Sequence, residues 1–472
     1  MSGPAGQRPM VTLVELAQWA KGDLVVRSVP SDPRAREAFL VSGITGASLD
    51  SRAIEPGMLF VPLPGANVDG HAYLDEAFAR GAGAALCARA VHPLIAHHDL
   101  GPMIVVNDVT QALQDLAAEY RKRWPGLLVG ITGSAGKTTT KELVAAAFAT
   151  EAPTLRTQGN KNNHWGVPLT LLGLRAEHQV AIVEMGMSNP GEIAALAAIA
   201  GPTAAVVTNA GSAHLEGVGS LEGVAREKAA LVHALPKDAP AFVGADSPLL
   251  VAAASGTKAR VVTYGFDAKA QVRPAKYRDL GAEGSRIEVK GFPPVHLRLV
   301  GRHMAQNALA AIAVALHWKL DGEKVAAALE AHRPLGGRME VKRSGGGTLL
   351  VDCYNANPDS TAAALATLAG WPGARRRIAL LGDMRELGST AVELHREAGG
   401  RVRDAELWTV GAHAGDYAEG AKRAGVPVRV FEDKAAASAA LREALGPGVL
   451  VLLKASRGAA LEQVLERLDM ES

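Results

Sequence analysis

The chain has 472 residues, 21% of them charged, and its 50 Lys and Arg nearly balance 48 Asp and Glu for a formal net charge of +2. With no long basic run, that balance excludes an electrostatic nucleic-acid surface or membrane surface. The two cysteines, Cys87 and Cys353, make no disulfide framework. The N-terminus lacks the basic-then-apolar order of a signal peptide, so a cytoplasmic protein of two or three domains is expected.

In chain order, the first hundred residues mix short elements: a strand over 57–63, a helix over 72–79, and a Pro-containing loop over 29–36. A helix over 107–123 leads into an alternating region. There the apolar strands fall at 127–131, 180–184, 204–208, 241–244 and 260–264, and the helices at 139–148, 192–199 and 221–235. Strands that are apolar throughout and separated by helices predict a parallel sheet covered on both faces. The uncharged stretch 193–213 is broken by Gly201-Pro202, so it reads as helix, turn and strand, not as a membrane span. Two alternating segments, 285–289 and 295–300, predict a small antiparallel addition, and a helix follows over 303–320. After Pro334-Leu335-Gly336-Gly337 the alternation restarts at 349–352, 378–381, 407–410, 428–431 and 449–453, each strand with a helix after it. This second α/β unit has no Gly-x-Gly-x-x-Gly fingerprint, so NAD is not expected. The fold class is α/β in three domains: a mixed N-terminal domain (1–106), a central P-loop ATPase-like parallel sheet (107–335) and a C-terminal Rossmann-like domain (336–472).

Between the strand ending near Ile131 and the next helix lies Thr132-Gly133-Ser134-Ala135-Gly136-Lys137-Thr138-Thr139. Glycines let backbone N–H groups curl round phosphate oxygens, and a helix N-terminus adds positive potential. Lys137 would neutralise the outer phosphates of ATP and Thr138 would bind Mg²⁺. The spacing departs from the usual motif, which has a glycine where this chain has Ile131. The alternative, a glycine turn that merely caps a buried strand, leaves the strand-loop-helix context unexplained.

Other candidates also sit at strand ends, where ligands bind open parallel sheets. Glu184 closes the strand 180–184 as either a Mg²⁺ ligand or an N-terminal cap or salt bridge for the next helix. His214, in Asn209-Ala210-Gly211-Ser212-Ala213-His214, is either a ligand or a surface histidine. Lys228 falls in the apolar stripe of Leu221, Val224, Ala225, Leu231, Val232 and Leu235. An ammonium there either snorkels to the flank or faces the active-site crevice. In the last domain Asp352, Tyr354 and Asn355 form a turn that could touch the ATP sugar or Mg²⁺. Gly382-Asp383-Met384 ends another strand, and Lys454 and Arg457 offer cations to a substrate carboxylate.

Taken together these residues resemble the Mur ligases, ATP-dependent amide-forming enzymes of peptidoglycan precursor synthesis, over nearly the whole chain. The resemblance implies that residues 132–139 are the ATP loop and that Thr138, Glu184, His214 and Lys228 hold Mg²⁺, two ions in all. It implies that Lys228 is carried as a carbamate made from CO₂. It also implies that Asn307 contacts the nucleotide and that Arg338 reaches the ATP phosphates from the third domain. Residues 159–163 with 166–168, 354–358 and 382–388 resemble the family member that adds D-alanyl-D-alanine to UDP-N-acetylmuramoyl-tripeptide. Asp50-Ser51-Arg52, residues 56–61 and residues 65–71 resemble its UDP-sugar-binding segment. A monomer is expected. The rival readings are a folylpolyglutamate-type ligase, a non-catalytic ATP-binding regulator and a generic P-loop kinase.

Overall fold

A computed structural model describes residues 10–26, 31–40, 42–65, 68–95, 100–212, 215–468 and 470–471. Its contacts divide the chain into two compact units, Met1–Gly130 with Ala152–Met185 and Ala194–Thr203, and Ile131–Glu151 with Gly186–Ile193 and Ala204–Ser472.

The first unit contains a five-stranded sheet in the order Asp23–Val25, Met103–Val106, Ala84–Ala88, Leu59–Phe60, Ala47–Ser48. Only its first pair is antiparallel. The strand expected over 57–63 is just Leu59–Phe60, because Pro62 has no N–H to extend a ladder. The loop expected over 29–36 is corrected in part. Pro33–Leu40 is a helix, since Asp32 accepts the Ala35 N–H at 2.7 Å and proline suits a first helical position. Residues 29 and 30 lie outside the described residues. The helix Val109–Arg123 starts where Asp108 accepts the Gln111 N–H at 2.9 Å. Thr154–Arg156 and Val180–Glu184 pair in parallel in the same unit.

Strand Leu127–Thr132 carries the chain from the first unit into the second. There Ala204–Val207, Pro240–Gly244 and Arg260–Tyr264 run parallel. The two expected antiparallel segments appear as Ser285–Val289 and Val295–Leu297. A third strand, Pro274–Asp279, joins them; its mostly exposed Lys276, Arg278 and Asp279 carry no apolar pattern.

The last sheet has seven strands, in the order Val428–Phe431, Glu406–Val410, Arg376–Leu381, Val449–Lys454, Gly347–Asp352, Glu340–Ser344, Met470–Glu471. The five expected strands are its parallel core, packed round Ile378, Leu380, Trp408, Val451 and Leu453. Glu340–Ser344 and Met470–Glu471 were not expected, being charged antiparallel additions at its edge. The helix expected after the last strand is corrected: two 3₁₀ segments follow, Arg457–Ala459 and Leu461–Arg467, joined at left-handed Ala460. Cys87 and Cys353 are buried free thiols. No described helix is long and apolar enough to cross a membrane.

Candidate active site

The phosphate loop follows Thr132 and opens onto the helix Lys137–Ala149. Gly136 caps that helix at φ 80° and no side chain caps it, so the N-terminal amides face the loop. At Gly133 (φ 147°) a Cβ would overlap Thr208 Oγ1, and at Gly136 it would overlap Asn307 Oδ1. Glycine is therefore required at both positions by backbone conformation and by contact. Thr208 and Asn209 brace the loop. Thr208 N–H donates to the Thr132 carbonyl at 3.0 Å and Thr208 Oγ1 to the Ala135 carbonyl at 2.6 Å. Asn209 accepts the Ser134 N–H on its carbonyl at 3.0 Å and the Ala135 N–H on Oδ1 at 2.9 Å. Lys137 Nζ lies across the loop, donating to the Gly133 carbonyl at 2.7 Å. Thr139 is buried in the first helical turn.

Arg338 reaches this loop from the far end of the sequence, its Nη2 donating to Thr138 Oγ1 at 3.1 Å. Its guanidinium lies 3.9 Å from the centre of the Tyr354 ring, a cation–π stack that fixes the arginine. Behind it, Asp352 Oδ1 accepts the Met339 N–H at 3.2 Å, and the Gly337 carbonyl accepts the Tyr354 N–H at 3.0 Å. Asp352 Oδ2 binds Lys454 Nζ at 2.6 Å, and that ammonium also donates to the Asn355 carbonyl at 2.9 Å. Lys454 is buried. The cation offered by the sequence to a substrate carboxylate is thus held by Asp352, and Arg457 stays exposed.

Lys228 lies on the helix Leu221–His233, which Ser220 caps through the Gly223 N–H at 3.0 Å. It does not snorkel: its side chain is fully buried and, among the described residues, Nζ has no hydrogen-bond partner. Burial, helped by repulsion from Lys137, holds the amine well below the ordinary lysine range, against opposing pulls from Glu227 and Glu192. Glu227 is engaged elsewhere, accepting the Gly191 and Ile193 N–H groups at 2.9 and 3.0 Å. Leu221, expected in the apolar stripe, is 39% exposed at the helix start.

In the first unit Glu184 is buried at the end of its strand. Its N–H donates to Thr157 Oγ1 at 3.0 Å, and its Oε1 accepts from Asn162 Nδ2 at 2.7 Å. His214 lies outside the described residues. Among the described residues no cluster of three or more His, Cys, Asp or Glu is suited to a metal. Asp383 is a bracket, accepting the Ala412 and His413 N–H groups at 3.1 and 2.9 Å. His395 Nε2 accepts the Met384 N–H at 2.9 Å. The bracing residues Thr208, Asn209, Asn162 and His395 went unassigned in the sequence, where an Asn or Thr after a strand is also an ordinary turn former.

Three segments match families described as Mur ligase family, catalytic domain (43–121), Mur ligase middle domain (131–315) and Mur ligase, glutamate ligase domain (337–457). A UDP-N-acetylmuramoyl-tripeptide–D-alanyl-D-alanine ligase of Bacillus subtilis (strain 168) is 34% identical over 466 residues, covering 97% of this chain and 98% of its own. A crystal structure of MurF from Acinetobacter baumannii superposes with TM-score 0.83 at 29% identity, covering 97% of this chain and 98% of that one. A MurF ligase from Thermotoga maritima in complex with ADP superposes with TM-score 0.78 at 27% identity, covering 89% and 96%.

Proposed function

Because the chain belongs to the Mur ligase family, we propose that it joins D-alanyl-D-alanine to UDP-N-acetylmuramoyl-tripeptide at the expense of ATP, in peptidoglycan precursor synthesis. The observation that carries this reading is a complete phosphate loop met at Thr138 by Arg338. Relatives aligned almost end to end carry that activity in their names, and one superposed structure holds ADP.

The reaction takes two steps. The terminal carboxylate of the tripeptide attacks the γ-phosphorus of ATP, the bond to the ADP oxygen breaks, and an acyl phosphate forms. The free amine of D-alanyl-D-alanine then attacks the acyl carbon and loses a proton, and phosphate leaves as the amide forms. Two anions meet in the first step, so charge neutralisation dominates. Lys137 and Arg338 supply it from the two sides of the loop. Residues 132–139 and Asn307 hold the nucleotide, and Asp352, Tyr354 and Asn355 shape the approach of Arg338.

Mg²⁺ fits this residue set. Among the described residues the buried Lys228 amine has no hydrogen-bond partner, and burial lowers its pKa, which favours the neutral amine that adds CO₂ with loss of a proton to give an anionic carbamate. Thr138, Glu184, His214 and carbamylated Lys228 would then present oxygen and imidazole ligands to two Mg²⁺ ions. Bound there, Mg²⁺ spreads and offsets phosphate charge. The domains run 1–106 for the UDP-linked substrate, 107–335 for ATP and 336–472 for the ligase half. The break between the second and third matched segments, from 315 to 337, supports the later boundary. The enzyme acts as a cytoplasmic monomer.

Phosphate release from ATP tests the assignment, with the nucleotide tripeptide, the dipeptide, both or neither added. Release that needs both, with a pentapeptide product by mass, is expected, and Lys137→Ala should abolish it while keeping the unfolding midpoint. Release with a different amine would change the acceptor; no response to any UDP-muramoyl peptide would overturn the function.

A further inference from the structure

The loop after strand Ala204–Val207 forms a strap against the phosphate loop. Beyond the Asn209 contacts, Gly211 bonds Ser134 from both sides, its N–H donating to Ser134 Oγ at 2.9 Å and its carbonyl accepting from that hydroxyl at 3.2 Å. The other face of the strap is covered by Asp359, in the first turn of the helix Pro358–Ala369. Asp359 Oδ2 accepts the Ser212 backbone N–H, and a Cβ on Gly211 would overlap the same carboxylate. Asp359 is not needed to cap its own helix. Asn357 Oδ1 accepts the Ser360 N–H at 2.8 Å and Ser360 Oγ accepts the Asn357 N–H at 3.0 Å, a complete capping box. An exposed acidic residue is therefore committed to one backbone amide of a loop that braces Ser134 and Ala135.

We propose that Asp359 is a positioning residue for nucleotide binding: it presses the Asn209–Ser212 strap onto the phosphate loop, so that the shape of the ATP cradle depends on the C-terminal helix Pro358–Ala369. This rests on the reading that residues 132–139 hold ATP. The physical reason is preorganisation. A cradle of backbone amides binds phosphate strongly only if its loop is already ordered, and a charge-assisted hydrogen bond to the strap supplies that order.

The test is MgADP binding by titration calorimetry to the full chain and to Asp359→Ala, Asp359→Asn, Gly211→Ala and the Gly211→Ala/Asp359→Ala pair, with unfolding midpoints measured in parallel. Binding by the unaltered chain establishes the nucleotide site independently; no binding there would overturn that reading. Asp359→Ala should weaken MgADP about tenfold, the effect of one lost charge-assisted hydrogen bond. Asp359→Asn, which keeps an acceptor oxygen, should stay within about threefold, because a neutral acceptor forfeits only part of the bond. Gly211→Ala should weaken binding by the clash with Asp359, and the double variant should bind no worse than Asp359→Ala alone. Unchanged affinity in Asp359→Ala, or losses that multiply in the double variant, would overturn the proposal. If Asp359→Ala lowers the midpoint, the Asp359→Asn and Gly211→Ala comparison still decides, since Asn357 and Ser360 cap the helix in every variant.

Discussion

Lys228 shows how much one side chain can disclose. A lysine inside an apolar stripe is costly unless its charge is removed or paired, and here Nζ is buried with no hydrogen-bond partner among the described residues. Lys228→Ala should lower phosphate release by about 100-fold, the scale of losing one electrostatic contributor at a reacting phosphate. Added short-chain carboxylates should restore part of the rate, and full activity without them would remove the metal role. His303 makes a different prediction. Its Nδ1 is buried without a hydrogen-bond partner among the described residues, and burial lowers the imidazole from 6.5 to about 4, with Asp352 raising it and Lys454 lowering it. Between those values the unfolded chain takes a proton that the folded chain refuses, so stability falls as pH drops through that window. From about pH 7 to about pH 5 the loss is about 2 kcal/mol, which His303→Gln should remove from the difference between urea unfolding curves at the two values.

At the scale of elements, the phosphate loop shows what glycine does there. Gly136 needs both the left-handed conformation and the absence of a Cβ beside Asn307. Gly136→Ala should cost about 1–2 kcal/mol of stability by denaturant unfolding and abolish detectable ADP binding; retained affinity would mean that the loop tolerates a different shape. The loop, its strand and its helix were all legible in the sequence because apolar period, glycine and helix start are local signals. Parallel strands such as Arg260–Tyr264 and Val428–Phe431 were legible to the residue, being short segments dominated by β-branched and aromatic residues, Val-Val-Thr-Tyr in one and Val-Val-Phe around Arg429 in the other. Strands such as Glu340–Ser344 were not, since Glu-Val-Lys-Arg-Ser carries no apolar run and its place in the sheet is set by pairing with Gly347–Asp352 and Met470–Glu471. The helix Pro33–Leu40 was hidden for the opposite reason: two prolines and mixed charge look like a loop until Asp32 is seen to cap it.

For the whole molecule, ligand linkage gives a global readout of the site. MgADP at about 100 times its dissociation constant should add about 2.7 kcal/mol of stability, read as a raised thermal midpoint in the unaltered chain. Lys137→Ala should lose that shift, and an unshifted midpoint in the unaltered chain would count against a nucleotide site. The sequence by itself determined the α/β class, the phosphate loop, the free cysteines and the placing of an unusual lysine, because each rests on neighbours within a few turns of chain. Only the tertiary structure decided which partner each polar group takes. Arg338 meets Thr138 across 200 residues, Lys454 meets Asp352 across 102, and Asp359 meets Ser212 across 147. No local pattern encodes such pairings. They arise when packing brings strand ends together and buried polar groups must find a partner there or stand unbonded, as the Lys228 amine does among the described residues.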